Sequence, residues 1–192
     1  MKKLVLVFLL AGSSAILADD NILQNGDFSD GIAHWYGDCH TIADMTSQED
    51  YQAPASGGGV VVKLRAGDWT KLNQDFETKS GKMTLTVTYL LSPGLTFSQR
   101  PEDYTNTTGA IGYTAWAAYA TPVGRWVVLL CDIAAGHANA FDLSPKVEGA
   151  TPQTFTASFL GKSDQQKTVC LAFPPGHGFV TLQEISITSS SQ

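Results

Sequence analysis

Charge and cysteine are both scarce in this sequence. Charged residues make up 16% of the 192, and the 12 basic ones are outnumbered by 18 acidic ones. No Lys/Arg cluster stands out, so the electrostatic footprint of a nucleic-acid or anionic-membrane partner is missing. The four histidines, His34, His40, His137 and His177, are scattered without the spacing of metal ligands. Three cysteines, Cys39, Cys131 and Cys170, allow at most one internal bridge and leave one thiol over. Cys131 and Cys170 sit in the apolar runs VVLLCDI and TVCLAF and read as small buried hydrophobes, whereas Cys39 lies in a polar loop. No apolar run is long enough to span a bilayer.

A catalytic constellation is lacking too. GDFS at 26–29 approaches a Gly-Asp-Ser-Leu esterase block, but Phe28 separates Asp27 from Ser29 and no βαβ pattern follows. Cys39 and His40 are adjacent, and neighbours on an extended chain point apart, so they make no thiol–imidazole pair. Carboxylates are plentiful, but their spacing singles out no glycosidase-like pair. The chain reads as a non-enzyme.

What is present begins with a leader. Lys2 and Lys3 precede the apolar run Leu4–Leu10, and small residues follow to Ala18, the three-part layout of a bacterial secretory signal. Ser13 stands where a lipoprotein signal would carry Cys, so no lipid anchor is expected. The expected destination is the periplasm or the extracellular space. Cleavage is expected after Ala18 or Ala15 and takes two lysines, leaving 10 basic against 18 acidic groups, a net −8. One domain is expected over 19–188, with 189–192 as a frayed tail.

The mature chain patterns as β throughout. KMTLTVTYL (82–90) alternates Met83, Leu85, Val87 and Tyr89 against Thr84, Thr86 and Thr88, and QTFTASFL (153–160) aligns Phe155, Ala157 and Phe159 on one side. Further strands are expected at 57–64, 68–78, 125–133, 167–173 and 179–188. Breakers such as SGK, SPG, TPVG and PPGHG separate them. The one candidate helix is 109–120, where Tyr113, Trp116 and Tyr119 recur every three residues; a strand there pairing with 125–133 is the alternative. Short strands with regular turn signals point to an all-β fold, an antiparallel β-sandwich or jelly roll.

NILQNGDFSDGIAHW (21–35) resembles the opening of carbohydrate-binding modules of families four, nine and twenty-two, within the galactose-binding-like jelly rolls. LNQDFETKSGKMTLTVTY, TPQTFTASFLG and FVTLQEISIT resemble, in order, later strands of those modules. Residues 92–124 and 134–150 match nothing in them. Within this frame Asn25-Gly26 is a turn, and Phe28 and Trp35 pack under the first strand.

The resemblance implies a structural calcium held by three acidic positions. Here those positions are Ser29, Ala55-Ser56 and Gln183, so no cofactor is expected and the calcium site is read as lost. Asp27 keeps a backbone carbonyl to offer. Glu184 comes one residue late, and strand alternation puts it on the opposite face from Gln183. A shifted site through Asp30 or Glu49 stays open.

The resemblance also implies glycan binding by a stacked aromatic ring. Trp69, in RAGDWTKLNQ, matches the family's stacking tryptophan, with Lys63, Arg65, Asn73 and Gln74 as polar neighbours. The alternative for Trp69 is packing at the sandwich rim. The insert 92–124 adds Arg100, Tyr104, Tyr113 and Trp116 as candidate contacts, or as rings that cover one end of the sandwich. If the strands of Cys131 and Cys170 flank strand 82–90, the two thiols stand about 10 Å apart, beyond the reach of a disulfide. The expected function is therefore an exported, non-catalytic carbohydrate-binding-like module whose partner is a glycan. A structural or protein-binding module of the cell envelope is the first alternative, and a hydrolase with an unrecognised site the second.

Overall fold

The computed structural model describes residues 21–48, 50–54, 58–102, 124, 126–132, 137–142 and 149–190. Two five-stranded antiparallel sheets face each other. Sheet A takes the order β1 (Tyr36–Gly37), β4 (Thr70–Thr78), β10 (Gln165–Phe173), β7 (Val127–Asp132), β8 (His137–Asp142). Sheet B takes the order β2 (His40–Thr41), β3 (Val60–Lys63), β12 (Phe179–Ser189), β5 (Gly81–Leu91), β9 (Gly149–Gly161). A small ribbon pairs β6 (Thr96–Phe97) with β11 (Gly176–His177). The jelly-roll sandwich expected from the sequence is the fold observed.

The core lies between the sheets and follows the alternation. Met83, Leu85, Val87 and Tyr89 of β5 are buried while Thr84, Thr86 and Thr88 stay partly exposed. β4 adds Leu72 and Phe76, and β10 adds Val169, Leu171 and Phe173. Each such side chain contributes roughly 1.5–3 kcal/mol by leaving water. Trp126 ties the layers together. Its ring stacks on Phe173 of sheet A at 4.6 Å and meets the edge of Tyr89 of sheet B at 5.0 Å.

The opening stretch serves structure. Asn25 has φ 49°, and its Nδ2 donates to the Gly31 and Ala33 carbonyls, both at 3.0 Å. Its Oδ1 accepts from the Asp30 N–H at 3.0 Å, and its carbonyl accepts from Trp35 Nε1 at 3.0 Å. Phe28 and Trp35 are buried against each other, 5.3 Å between ring centres. The segment then runs along β12: Ile22 N–H donates to Ile187 O and Ile185 N–H to Gly26 O. A Cβ on Gly26 would stand 2.2 Å from Ile185 O, so only glycine permits this approach.

Three sequence expectations change. The strands of Cys131 and Cys170 do not flank strand 82–90. β7 and β10 are hydrogen-bonded neighbours, with Cys170 opposite Leu129 and Cys131 opposite Thr168, while β5 lies in the other sheet. The separation argument against a bridge therefore fails. Second, strict alternation does not continue through β12. A bulge at Gln183 shifts the register between Leu182 and Glu184, and Leu182 and Ile185, three residues apart, are both fully buried. Gln183 and Glu184 thus share the side away from the core instead of opposing each other. Third, β12 runs to Ser189, and Ser190 N–H and Oγ both donate to Lys82 O, so order reaches past 188. The leader 1–18 and the candidate helix 109–120 lie outside the described residues.

One unpredicted segment matters below. After β2, a single helical turn α1 (Ile42–Met45) is capped by Thr41, whose Oγ accepts from Asp44 N–H. Met45 and Tyr51 pack with Val61 and Phe179 as a second, smaller cluster beside sheet B.

Candidate functional site

The exposed aromatic ring closest to polar groups sits at the free edge of sheet A. β1 is held on β4 with Tyr36 opposite Asn73 and Gly37 opposite Leu72. Gly37 has φ 126°, and a Cβ there would meet Lys71 O at 2.2 Å, so the tight edge requires glycine. Asp38 N–H donates to Lys71 O at 2.7 Å, which continues the pairing with β4 past Gly37. Trp35 points inward, and its neighbour Tyr36 points out, 49% exposed.

The Tyr36 hydroxyl donates to Asp75 Oδ1 at 2.9 Å, and Thr168 Oγ donates to the same oxygen at 2.5 Å. Burial, and then the Asp75 carboxylate beside it, push the Tyr36 phenol up to about 12. The ring is therefore neutral at pH 7 and fixed in orientation. Just past the end of β1, Arg65 pairs with Asp38 and stands 3.8 Å from Asp68. Lys71 is exposed on β4, and its N–H donates to Asp38 Oδ2 at 3.4 Å. The edge thus presents one oriented ring, an anchored carboxylate, a guanidinium and an ammonium. Such a set can stack on an apolar face while donating to, and accepting from, hydroxyl groups.

The predicted site residues are distributed unevenly. Arg65 belongs to this edge. Trp69 is 5% exposed, so its ring is packed and does not present a face to a ligand, contrary to the stacking role. Gln74 is 4% exposed and bonds both ways to one backbone unit: Oε1 accepts from Gln24 N–H at 2.7 Å and Nε2 donates to Gln24 O at 2.8 Å. Its role is to bind the N-terminal segment to β4. Arg100 is exposed on the stretch after β6, and its backbone N–H donates to Ser98 Oγ. Tyr104, Tyr113 and Trp116 lie outside the described residues. Trp35, Trp69 and Trp126, the described tryptophans, are all buried. The sequence signal missed was HWYGD at 34–38: an inward Trp35 on an extended chain places Tyr36 outward.

Among the described residues, no three His, Cys, Asp or Glu side chains stand close enough to share a metal ion. Ser29 spends its N–H and hydroxyl on Asp27, which lowers that carboxyl. Ala55, Ser56 and Glu49 lie outside the described residues. No helix among the described residues is long and apolar enough to cross a membrane.

The β-sandwich is similar in fold to solved carbohydrate-binding modules. A family 61 carbohydrate-binding module, solved in complex with β-1,4-galactotriose, superposes at a TM-score of 0.53, with 11% identity, covering 88% of this chain and 99% of that one. A family 16 carbohydrate-binding module superposes at 0.50, with 10% identity, over 88% of this chain and 100% of the other. At the sequence level, endo-1,4-β-xylanase 2 of Arabidopsis thaliana is 37% identical over 92 residues. That match takes in 45% of this chain and 9% of the xylanase, so the chain spans a small part of that protein's length. No family model matches the sequence.

Proposed function

We propose that this protein is an exported, non-catalytic glycan-binding module that engages a β-1,4-linked polysaccharide at the Tyr36 edge of sheet A. The observation that carries the reading is the exposed Tyr36 ring, oriented by Asp75 and flanked by Lys71 and the Arg65–Asp38 pair. A stacked aromatic supplies rigid contact area with little entropy to lose. The flanking charges bond hydroxyls on either side of the stacked sugar. The likeness to glycan-binding sandwiches supports the ligand class, and the leader supports export to the periplasm or beyond.

The test is a glycan array that includes β-1,4-galactan and xylan oligosaccharides, run on the protein and on Tyr36→Ala, Arg65→Ala and Trp116→Ala. The expected result is binding that Tyr36→Ala weakens about tenfold, the loss of one stacking contact of about 1 kcal/mol or slightly more. Absence of binding to every glycan overturns the reading and leaves an envelope protein-binding module in its place. Release of reducing sugar from a bound glycan would overturn its non-catalytic part.

A further inference from the structure

We infer a second, separate binding site, sized for one neutral sugar ring, in the cleft between Ser47, Gln48 and Asp50 on one side and the ends of β3 and β12 on the other. The cleft has a volume of about 330 Å³, at the small end of the range for ligand pockets. Ser47, Gln48 and Asp50 form one wall; Lys63, His177 and Phe179 form the other.

Both walls are held in place before any ligand arrives. Lys63 and Phe179 are register partners in the β3–β12 ladder, and Phe179 N–H donates to Ser92 Oγ at 2.9 Å. Leu64 N–H donates to Gly178 O at 3.0 Å, which fixes the strand ends to each other. The opposite wall is pinned at both ends by the buried side chains of Met45 and Tyr51, with Gln48 N–H on Met45 O and Tyr51 N–H on Gln48 O.

The polar groups make the argument for the ligand. Lys63 Nζ lies 5.9 Å above the Phe179 ring and donates one proton to Gln48 Oε1 at 2.8 Å. That leaves it two further N–H donors. Asp50 lines the same cleft, and neither its side chain nor that of His177 has a partner among the described residues. A cation and an anion therefore line one small cleft without closing on each other. What fits between them donates to one side, accepts from the other and carries no net charge. A sugar ring with vicinal hydroxyls meets these terms: one hydroxyl oxygen accepts from Lys63 while a neighbouring O–H donates to Asp50. The ligand class rests on the glycan reading above, but the position does not, since Tyr36 lies on the other sheet.

Titration of the protein with methyl β-D-xylopyranoside and methyl β-D-galactopyranoside, followed by amide NMR shifts, tests this. The expected result is saturable movement of the Gln48, Asp50, His177 and Gly178 amides by at least one of these glycosides. Tyr36→Ala should leave that movement intact, and Lys63→Met and Asp50→Asn should each weaken it about fivefold, the loss of one hydrogen bond to a charged partner at a wet site. Both changes are at exposed positions, and an unchanged melting temperature confirms folding. Shifts confined to Tyr36 and Lys71 would overturn the second site while leaving the edge reading in place. Saturation by glucuronate or glycine, with both glycosides silent, would overturn the ligand class. No saturable shift with any of these probes would overturn the site itself.

Discussion

Replacing Asn25 by alanine should cost far more than a loop substitution normally does. Its side chain makes three hydrogen bonds, to Gly31 O, Ala33 O and Asp30 N–H, all at 3.0 Å and two of them partly buried. At about 1 kcal/mol each, their loss removes about 3 kcal/mol. The backbone also sits at φ 49°, where alanine is disfavoured by about another 1 kcal/mol. Asn25→Ala should therefore lose about 4 kcal/mol in urea unfolding, or roughly 8–16 °C in Tm for a domain of this size. Asn25→Gly removes the same three bonds and relieves the backbone term. Asn25→Asp keeps the acceptor for Asp30 N–H but turns a carboxylate toward two carbonyls, so it should lose at least about 2 kcal/mol. An Asn25→Ala loss below about 1 kcal/mol would show that the turn is held by something other than this side chain.

The remaining predictions concern backbone approach, pH and metal. Gly26→Ala forces a Cβ against Ile185 O, and the variant should be recovered largely unfolded by circular dichroism, whereas Gly67→Ala, with nothing near its Cβ, should fold normally. Burial, helped by Asp38, pushes the Cys39 thiol up to about 11, so alkylation by iodoacetamide at pH 8 should be much slower than for a small thiol. Tyr36 and Cys39 both have raised values in the fold, so the unfolded chain ionises first as pH rises. Stability should then be intact below about pH 9 and fall between about pH 9 and 12; Tyr51 and Tyr89, also raised by burial, share the upper part of that fall, so Tyr36→Phe should reduce it without abolishing it, read as urea midpoints against pH. Addition of EDTA should leave Tm unchanged, since Ser29 and Gln183 stand at two of the three expected acidic positions; a drop of several degrees would reveal a structural metal.

Much of the sandwich is written in local alternation. Met83 to Tyr89 and Phe155 to Phe159 declare which face is wet because a strand repeats every two residues. β8, HANAFD, is hard to read as a strand because its alternating apolar positions are two small alanines, with no β-branched residue. The bulge in β12 is visible only as two polar residues between Leu182 and Ile185, which break the period once. The site was harder to see. Trp69 has polar neighbours, Asp68 and Thr70, and so reads as half exposed, yet burial depends on what lies over it, and no local pattern encodes that. Gln74 reads as a free amide until Gln24, 50 residues earlier, is brought beside it. Arg65 was legible as a candidate polar contact beside Trp69, but its partner Asp38 comes from the other side of a 27-residue span.

The pairing of Ile22 with Ile187 brings the entrance and exit of the domain to neighbouring rungs of one ladder. Spliced into a surface loop of another protein, this sandwich would spread the two cut ends by only about one interstrand spacing, roughly 5 Å. It would hang from the host as a side branch, and its host's fold would be left nearly undisturbed.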